Sequence, residues 1–212
     1  MRMPLAAMLG LALAAVGGCA TKGPVSQPPV LALPATSACT SEPDLGRALP
    51  LVFDADKENP LDVQIGPGSA CLERSPGEKS LYGVVSLPTA GEQLIVSVAS
   101  EPLGQSIFAP QLLLLDGTGK LLREVSREDF AFRGGALTAL IRAHENERYL
   151  VILSDPKMVG QNVSRIAGAV NVQTVSTGVV MFNVYSGSES TSHLTYSHGG
   201  TVKVAARALT AK

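Results

Sequence analysis

The chain reads as an all-β, mainly antiparallel protein built as a single β-sandwich, and three observations lead there. Short apolar runs of strand length recur from residue 48 onward, separated by turn-forming Gly, Pro, Asp and Ser. Several of these runs alternate with period 2; in "EQLIVSVAS" (92–100), Leu94, Val96 and Val98 share one face, and Ile95, Ser97 and Ala99 the other. Gly (21) and Pro (14) are plentiful, which suits many strands and turns better than long helices. With 212 residues and 45% hydrophobic content, the chain supports one sizeable core and no comfortable second one. The expected form is jelly-roll-like, over residues 48–212, with one short helix.

The elements follow in order. "LPLVF" (49–53) is the first candidate strand, and "SLYGVVSL" (80–87), stopped by Pro88, is the second. After 92–100 comes "SIFAPQLLLLDGTGKLL" (106–122), with Pro110 opening a strand, four leucines, and Asp116-Gly117 as a hairpin signal before "KLLREV" (120–125). The leucine run is apolar on both strand faces, so it needs a cover on each. One face suits the opposing sheet; the other needs a helix at 156–167, the docked end of the N-terminal segment, or a partner. "ALTALIR" (136–142) and "RYLVILS" (148–154) flank the turn "AHENE". Asp155 as N-cap and Pro156 as first residue predict a short helix, with Met158, Val159, Val163 and Ile166 inward, although Gly160 weakens it by about 1 kcal/mol. "TGVVMFNVY" (177–185), "SHLTYSH" (192–198) and "TVKVAA" (201–206) complete the set.

Composition narrows the function classes. The net charge is -1 and the basic residues form no stripe, so nucleic acid is not an expected partner. Aromatics are only 4% of the chain, with no Trp, which leaves few stacking platforms.

The N-terminus carries the most specific signal. Arg2 precedes "PLAAMLGLALAAV" (4–16), an apolar stretch of signal-peptide length and short for a membrane span. It ends in Val16-Gly17-Gly18-Cys19, which resembles the lipobox of bacterial lipoprotein precursors. That resemblance implies removal of residues 1–18 and lipidation of Cys19, with acyl chains contributing about 0.8 kcal/mol per buried methylene to membrane attachment. Ala20 in place of Asp implies sorting to the outer membrane, on its periplasmic side. Residues 19–47 follow as a Pro-rich tether, with five prolines in 20–47 and no period of 2 or 3.6. Leu31, Leu33 and Cys39 suggest that its far end docks. In an oxidising compartment Cys39 and Cys71 are a candidate disulfide, with two free thiols or pairing to other proteins as the alternatives.

Motifs with chemistry mostly dissolve on inspection. Asp54, Asp56 and Glu58 have the 1-3-5 spacing of a calcium loop, but Asn59 and Ile65 stand where Gly and Glu are needed. "GTGK" (117–120) lacks the first Gly and the metal-binding hydroxyl of a phosphate loop. "HENER" (144–148) has Arg148 where a zinc helix needs its second His. No catalytic set, metal site or cofactor is expected. "YSGSESTSHLTYSHGG" (185–200) is the most polar stretch, and Tyr185, Ser188, Glu189, His193, Tyr196 and His198 are the candidate ligand-binding residues. His193 and His198 differ by an odd number, so on one strand they face opposite ways. Phe130 and Phe132 share a strand face; they are either a core pair or an exposed interaction ridge.

"GVVSLPTAGEQLIVSVAS", "SIFAPQLLLLD", "EDFAF" and "RYLVILSDPKMVGQ" resemble, in order and spacing over roughly residues 78–166, the maltose operon periplasmic protein family. The resemblance implies a periplasmic, non-enzymatic protein associated with maltodextrin uptake. This chain departs from the family in lacking a Trp near Leu49-Pro50-Leu51 and in its loosely similar stretch after Gly168. The expected function is therefore an outer-membrane lipoprotein that serves as a binding or accessory module for carbohydrate. The alternative is an envelope structural protein that docks on a porin, an enzyme or another lipoprotein. An enzyme ranks last; it would need Ser188 or another nucleophile within about 3 Å of a His.

Overall fold

The computed structural model describes residues 28–33, 38–89, 93–125, 127–176 and 181–209. Residues 1–18 and Cys19 lie outside this set. The strands are β1 (Leu49–Pro50), β2 (Leu61–Ile65), β3 (Ala70–Ser75), β4 (Glu78–Ser86), β5 (Leu94–Glu101), β6 (Ser106–Phe108) and β7 (Pro110–Leu115). They continue with β8 (Leu121–Val125), β9 (Ala131–Arg133), β10 (Ala136–Ala143), β11 (Tyr149–Ser154), β12 (Asn162–Ser176), β13 (Met181–Ser197) and β14 (Gly200–Ala208).

Three sheets result. The first runs β1-β4-β11-β7-β8, with β3 also paired to β4; the second runs β2-β14-β5-β10-β9; the third is β12-β13-β6. Two pairings are parallel, β1 with β4 and β13 with β6, and the others are antiparallel. The first two sheets face each other as a sandwich. Val85, Leu112, Leu114, Leu150 and Ile152 of the first meet Val63, Val96, Val98, Ala139, Val202 and Val204 of the second. Each of these Val, Leu and Ile side chains, once buried, favours the fold by about 1.5–3 kcal/mol. The sheets approach closely at Gly83, where a Cβ would stand 2.7 Å from Val63 Cγ1.

The leucine run is buried on both faces. Leu112 and Leu114 point into the sandwich, while Leu113 and Leu115 join Tyr82, Val84, Val151 and Leu153 in a second cluster on the outer face. Leu45, at the end of the Pro-rich segment, and Ala48, just after it, pack over that cluster together with Ala70 and Tyr149. A 3-10 turn at Leu45–Arg47 shapes this strap, its Gly46 N–H donating to Asp44 Oδ1 at 3.0 Å. The Asp44 N–H donates to the Tyr82 hydroxyl at 2.9 Å. Further back, Cys39 and Cys71 are joined by a disulfide, and Thr40 bridges to Leu72 beside it. Earlier still, Val30 N–H donates to Ser197 Oγ at 2.8 Å, and Leu33 packs against the main core. The described part of 28–47 is thus laid on the sandwich.

The helix expected after Asp155 stops after one turn. Asp155 does cap it, accepting from Lys157 N at 2.9 Å through Oδ1 and from Met158 N at 3.1 Å through its carbonyl. Gly160 then adopts φ +84°, a left-handed conformation that ends the turn, and residues 162–176 run as β12. The described helices are the 3-10 turns at 45–47 and 127–129.

Candidate functional site

A small third core seats the third sheet on the sandwich. Ile107, Ala109, Leu137, Met158, Leu194 and Tyr196 form it, with Phe130, Phe132, Val159 and Val163 packed at its margin. The strand β6-β7 supplies the corner, because Ala109 breaks the ladder: its N–H donates to Ser197 O at 3.0 Å and its carbonyl accepts from Asp155 N at 2.8 Å. At the margin of this core lies a cleft of about 360 Å³. Its floor is Leu137, Met158, Val163 and Tyr196; Phe130, Ala131 and Phe132 form one wall, and Arg127 and Glu128 stand at the rim.

Local sequence explains the wall. Arg127–Asp129 make a 3-10 turn closed by Phe130 N–H to Arg127 O at 3.1 Å. The strand β9 then pairs with the end of β10 and turns Phe132 to the side opposite Ala131 and Arg133. Both phenylalanines are half-buried, so each packs on the core with one part and faces the cleft with the other. Tyr196 is buried, and the Arg127 guanidinium lies close to its hydroxyl. Burial raises the phenol pKa above its ordinary value, and Arg127 opposes the shift in part. The group is therefore a neutral phenol at physiological pH, held by a cation at the mouth of an apolar hollow. Chemically, this arrangement can take a ligand with an apolar face and polar edges.

The sequence-chosen residues separate in space. Tyr196 lines the cleft beside Phe130 and Phe132, a grouping that the sequence does not reveal because 64 positions separate Phe132 and Tyr196. Tyr185, Ser188 and Glu189 lie further along β13, opposite Val172, Ala169 and Gly168 of β12; their side chains are outside the described set. His193 is exposed, with Nδ1 3.2 Å from Ser164 Oγ across the same strand pair. His198 is buried, 2.7 Å from Ser154 Oγ through Nδ1. Two serines thus stand near a His. Ser154 has no exposed surface, and its Oγ also accepts the Leu81 N–H at 3.1 Å, so this pair ties β4, β11 and the end of β13 together. The Ser164–His193 contact is a cross-strand surface pair.

The remaining motifs close their own turns. Asp54 Oδ1 accepts from Asp56 N at 2.9 Å. In "GTGK", Asp116 Oδ1 accepts from Thr118 N (2.8 Å), Thr118 Oγ1 (2.6 Å) and Lys120 N (3.0 Å), which lowers the Asp116 pKa and occupies the donors a phosphate would use. In "HENER", Glu147 is buried; it takes two bonds from Arg123 (2.5 and 3.2 Å) and one from His144 N (2.9 Å). A second hollow, of about 570 Å³, opens beside this turn; two of its charged lining residues are engaged within the protein, Glu147 with Arg123 and Arg148 with the Glu145 carbonyl at 2.6 Å. Compared with known proteins, the chain matches no family profile, no curated protein and no solved structure.

Proposed function

We propose that this protein is a lipid-anchored, periplasm-facing accessory module of the outer membrane that binds a carbohydrate in the Phe130–Phe132–Tyr196 cleft. The observation that carries the reading is the half-burial of two phenylalanines beside a buried tyrosine in one cleft. Sugar rings present C–H faces that pack on aromatic surfaces, and their hydroxyls suit a guanidinium and a carboxylate such as Arg127 and Glu128 at the rim. The lipobox-like Val16-Gly17-Gly18-Cys19 supports the anchor, and the resemblance over 78–166 supports maltodextrin as the sugar. The chemistry offered by the cleft is recognition: a protonated phenol, an ion pair's worth of rim charge and apolar walls.

The test is titration of the full chain with maltose through maltoheptaose, read as a melting shift. A ligand at 100 times its Kd raises stability by about 2.7 kcal/mol, a shift of about 5–11 °C for a chain of this size. No shift for any member of the series at millimolar concentration overturns the sugar reading.

A further inference from the structure

We propose that two copies of this chain pair edge to edge along β12, as an antiparallel, two-fold symmetric contact centred on Ala169. The strands β12 and β13 form a ribbon of 15 registered pairs, from Asn162 opposite Thr195 to Ser176 opposite Met181. At about 3.3 Å per residue the ribbon is about 50 Å long. Only its base is held by a third strand, where Thr195–Ser197 pair with β6 on the β13 side. The strand β12 is terminal in its sheet, so among the described residues its outer backbone edge has no strand neighbour from end to end.

Apart from the outer side of β13 beyond its short pairing with β6, which carries Glu189, the other sheet edges are blunted in ways that β12 is not. The edge strand β8 has five residues, carries Arg123 and Glu124, and meets β7 with a register shift. The strand β3 carries Glu73 and Arg74 with a shift beside them, β9 has three residues with Arg133 among them, β2 has five with Asp62, and β1 has two, one of them Pro50. Short length, charge, proline and bulges are the usual defences against strand addition. In contrast, β12 reads "NVSRIAGAVNVQTVS": fifteen residues with no proline, lysine or acid, and an unbroken register. Its single charge, Arg165, turns back to the body; a Cβ on Gly135 would stand 2.9 Å from its Nη2. The edge beyond Arg165 is undefended.

A second copy fits this edge best. Strand addition is driven by backbone hydrogen bonds, so the partner must offer a straight edge of equal length. β12 of another copy does so by construction. An isolated two-stranded ribbon is marginal in water, whereas two ribbons joined this way make a four-stranded sheet. Antiparallel pairing centred on Ala169 sets Arg165 opposite Gln173 of the other copy and avoids facing two cations; in-register parallel pairing would face them.

Sedimentation of the full chain in mild detergent, with oxidative cross-linking by copper-phenanthroline, tests the proposal. The expected results are a dimer at micromolar concentration, efficient disulfide-linked dimer for Ala169→Cys, and no gain over wild type for Gln173→Cys, whose two copies would lie about 27 Å apart. Ala169→Lys, which places two ammonium groups at the axis, is expected to raise the dimer Kd at least tenfold with the circular-dichroism spectrum unchanged. A monomer at all concentrations overturns the proposal. So does a dimer that persists in Ala169→Lys or fails to cross-link at residue 169, since the contact would then lie on another surface or with another register.

Discussion

Ser154 Oγ lies 2.7 Å from Nδ1 of His198, and both side chains are buried. The serine also accepts the Leu81 N–H at 3.1 Å, and its hydroxyl either donates to the ring nitrogen or accepts from it, according to the imidazole tautomer. Burial lowers the His198 pKa from its ordinary 6.5. The unfolded chain therefore binds a proton near pH 6.5 that the folded chain takes up only at lower pH. Between those values the unfolded state holds more protons, so stability falls as pH falls, by at most about 1.4 kcal/mol per unit from this group. Melting temperature measured from pH 8 to 5 is expected to be flat above about 7 on this account and to decline below about 6.5. In His198→Gln that part of the decline disappears. An unchanged slope in the variant contradicts the assignment.

The Cys39–Cys71 bridge closes a separation of 32 residues and holds the strap that covers Leu113 and Leu115. The paired substitution Cys39→Ser with Cys71→Ser is expected to cost about 3 kcal/mol in urea unfolding. Amide exchange should quicken first at Thr40 and Glu73, whose N–H groups bond across the bridge. Uniform quickening over the whole sandwich would mean that the strap is not a separable layer.

Gly83 faces inward opposite Ile152, and a Cβ there would meet Val63 Cγ1 at 2.7 Å. Gly83→Ala should destabilise the sandwich by about 1–3 kcal/mol through overpacking. Shortening the opposing side chain in Gly83→Ala with Val63→Ala should recover part of that loss relative to the sum of the two single changes. Strict additivity in the double-mutant cycle would show that the two sheets do not press on each other at this point.

Anchoring makes a separate prediction. Cys19→Ala should abolish lipid labelling and move the protein from the membrane to the soluble fraction, with the melting curve of the sandwich unchanged. Persistent labelling would contradict the lipobox reading.

Strands with strict alternation or long β-branched runs were legible because one local pattern decided them. Leu94, Val96 and Val98 fill the core as their period predicts, and "RYLVILS" is β11 almost residue for residue. Local chemistry was legible even where the element was not: Asp155 does cap a turn, but the left-handed Gly160 ends it, and Met158 is buried, with Val159 and Val163 half-buried beside it, by tertiary contact rather than along a helix face. The strands β2 and β3 were missed because "LDVQI" and "ACLERS" are short and half polar, and only their sheet neighbours stabilise them. The polar stretch 185–200 suggested a concave site; its backbone from 185 to 197 is one strand of a ribbon, so its polar positions are strung out along about 40 Å. The cleft needed the fold, since Phe130, Met158 and Tyr196 meet only where three sheets join.

Binding at that junction is the central claim, and Phe132→Ala offers the most direct measurement. Phe132 is half-buried at the cleft wall, so its loss should leave the melting temperature within a few degrees of wild type. Isothermal titration with maltodextrins should then show affinity reduced at least tenfold in Phe132→Ala, and comparably in Tyr196→Phe, where the hydroxyl beside Arg127 is removed. Equal affinity in wild type and both variants would place any sugar site elsewhere and contradict the assignment of this cleft.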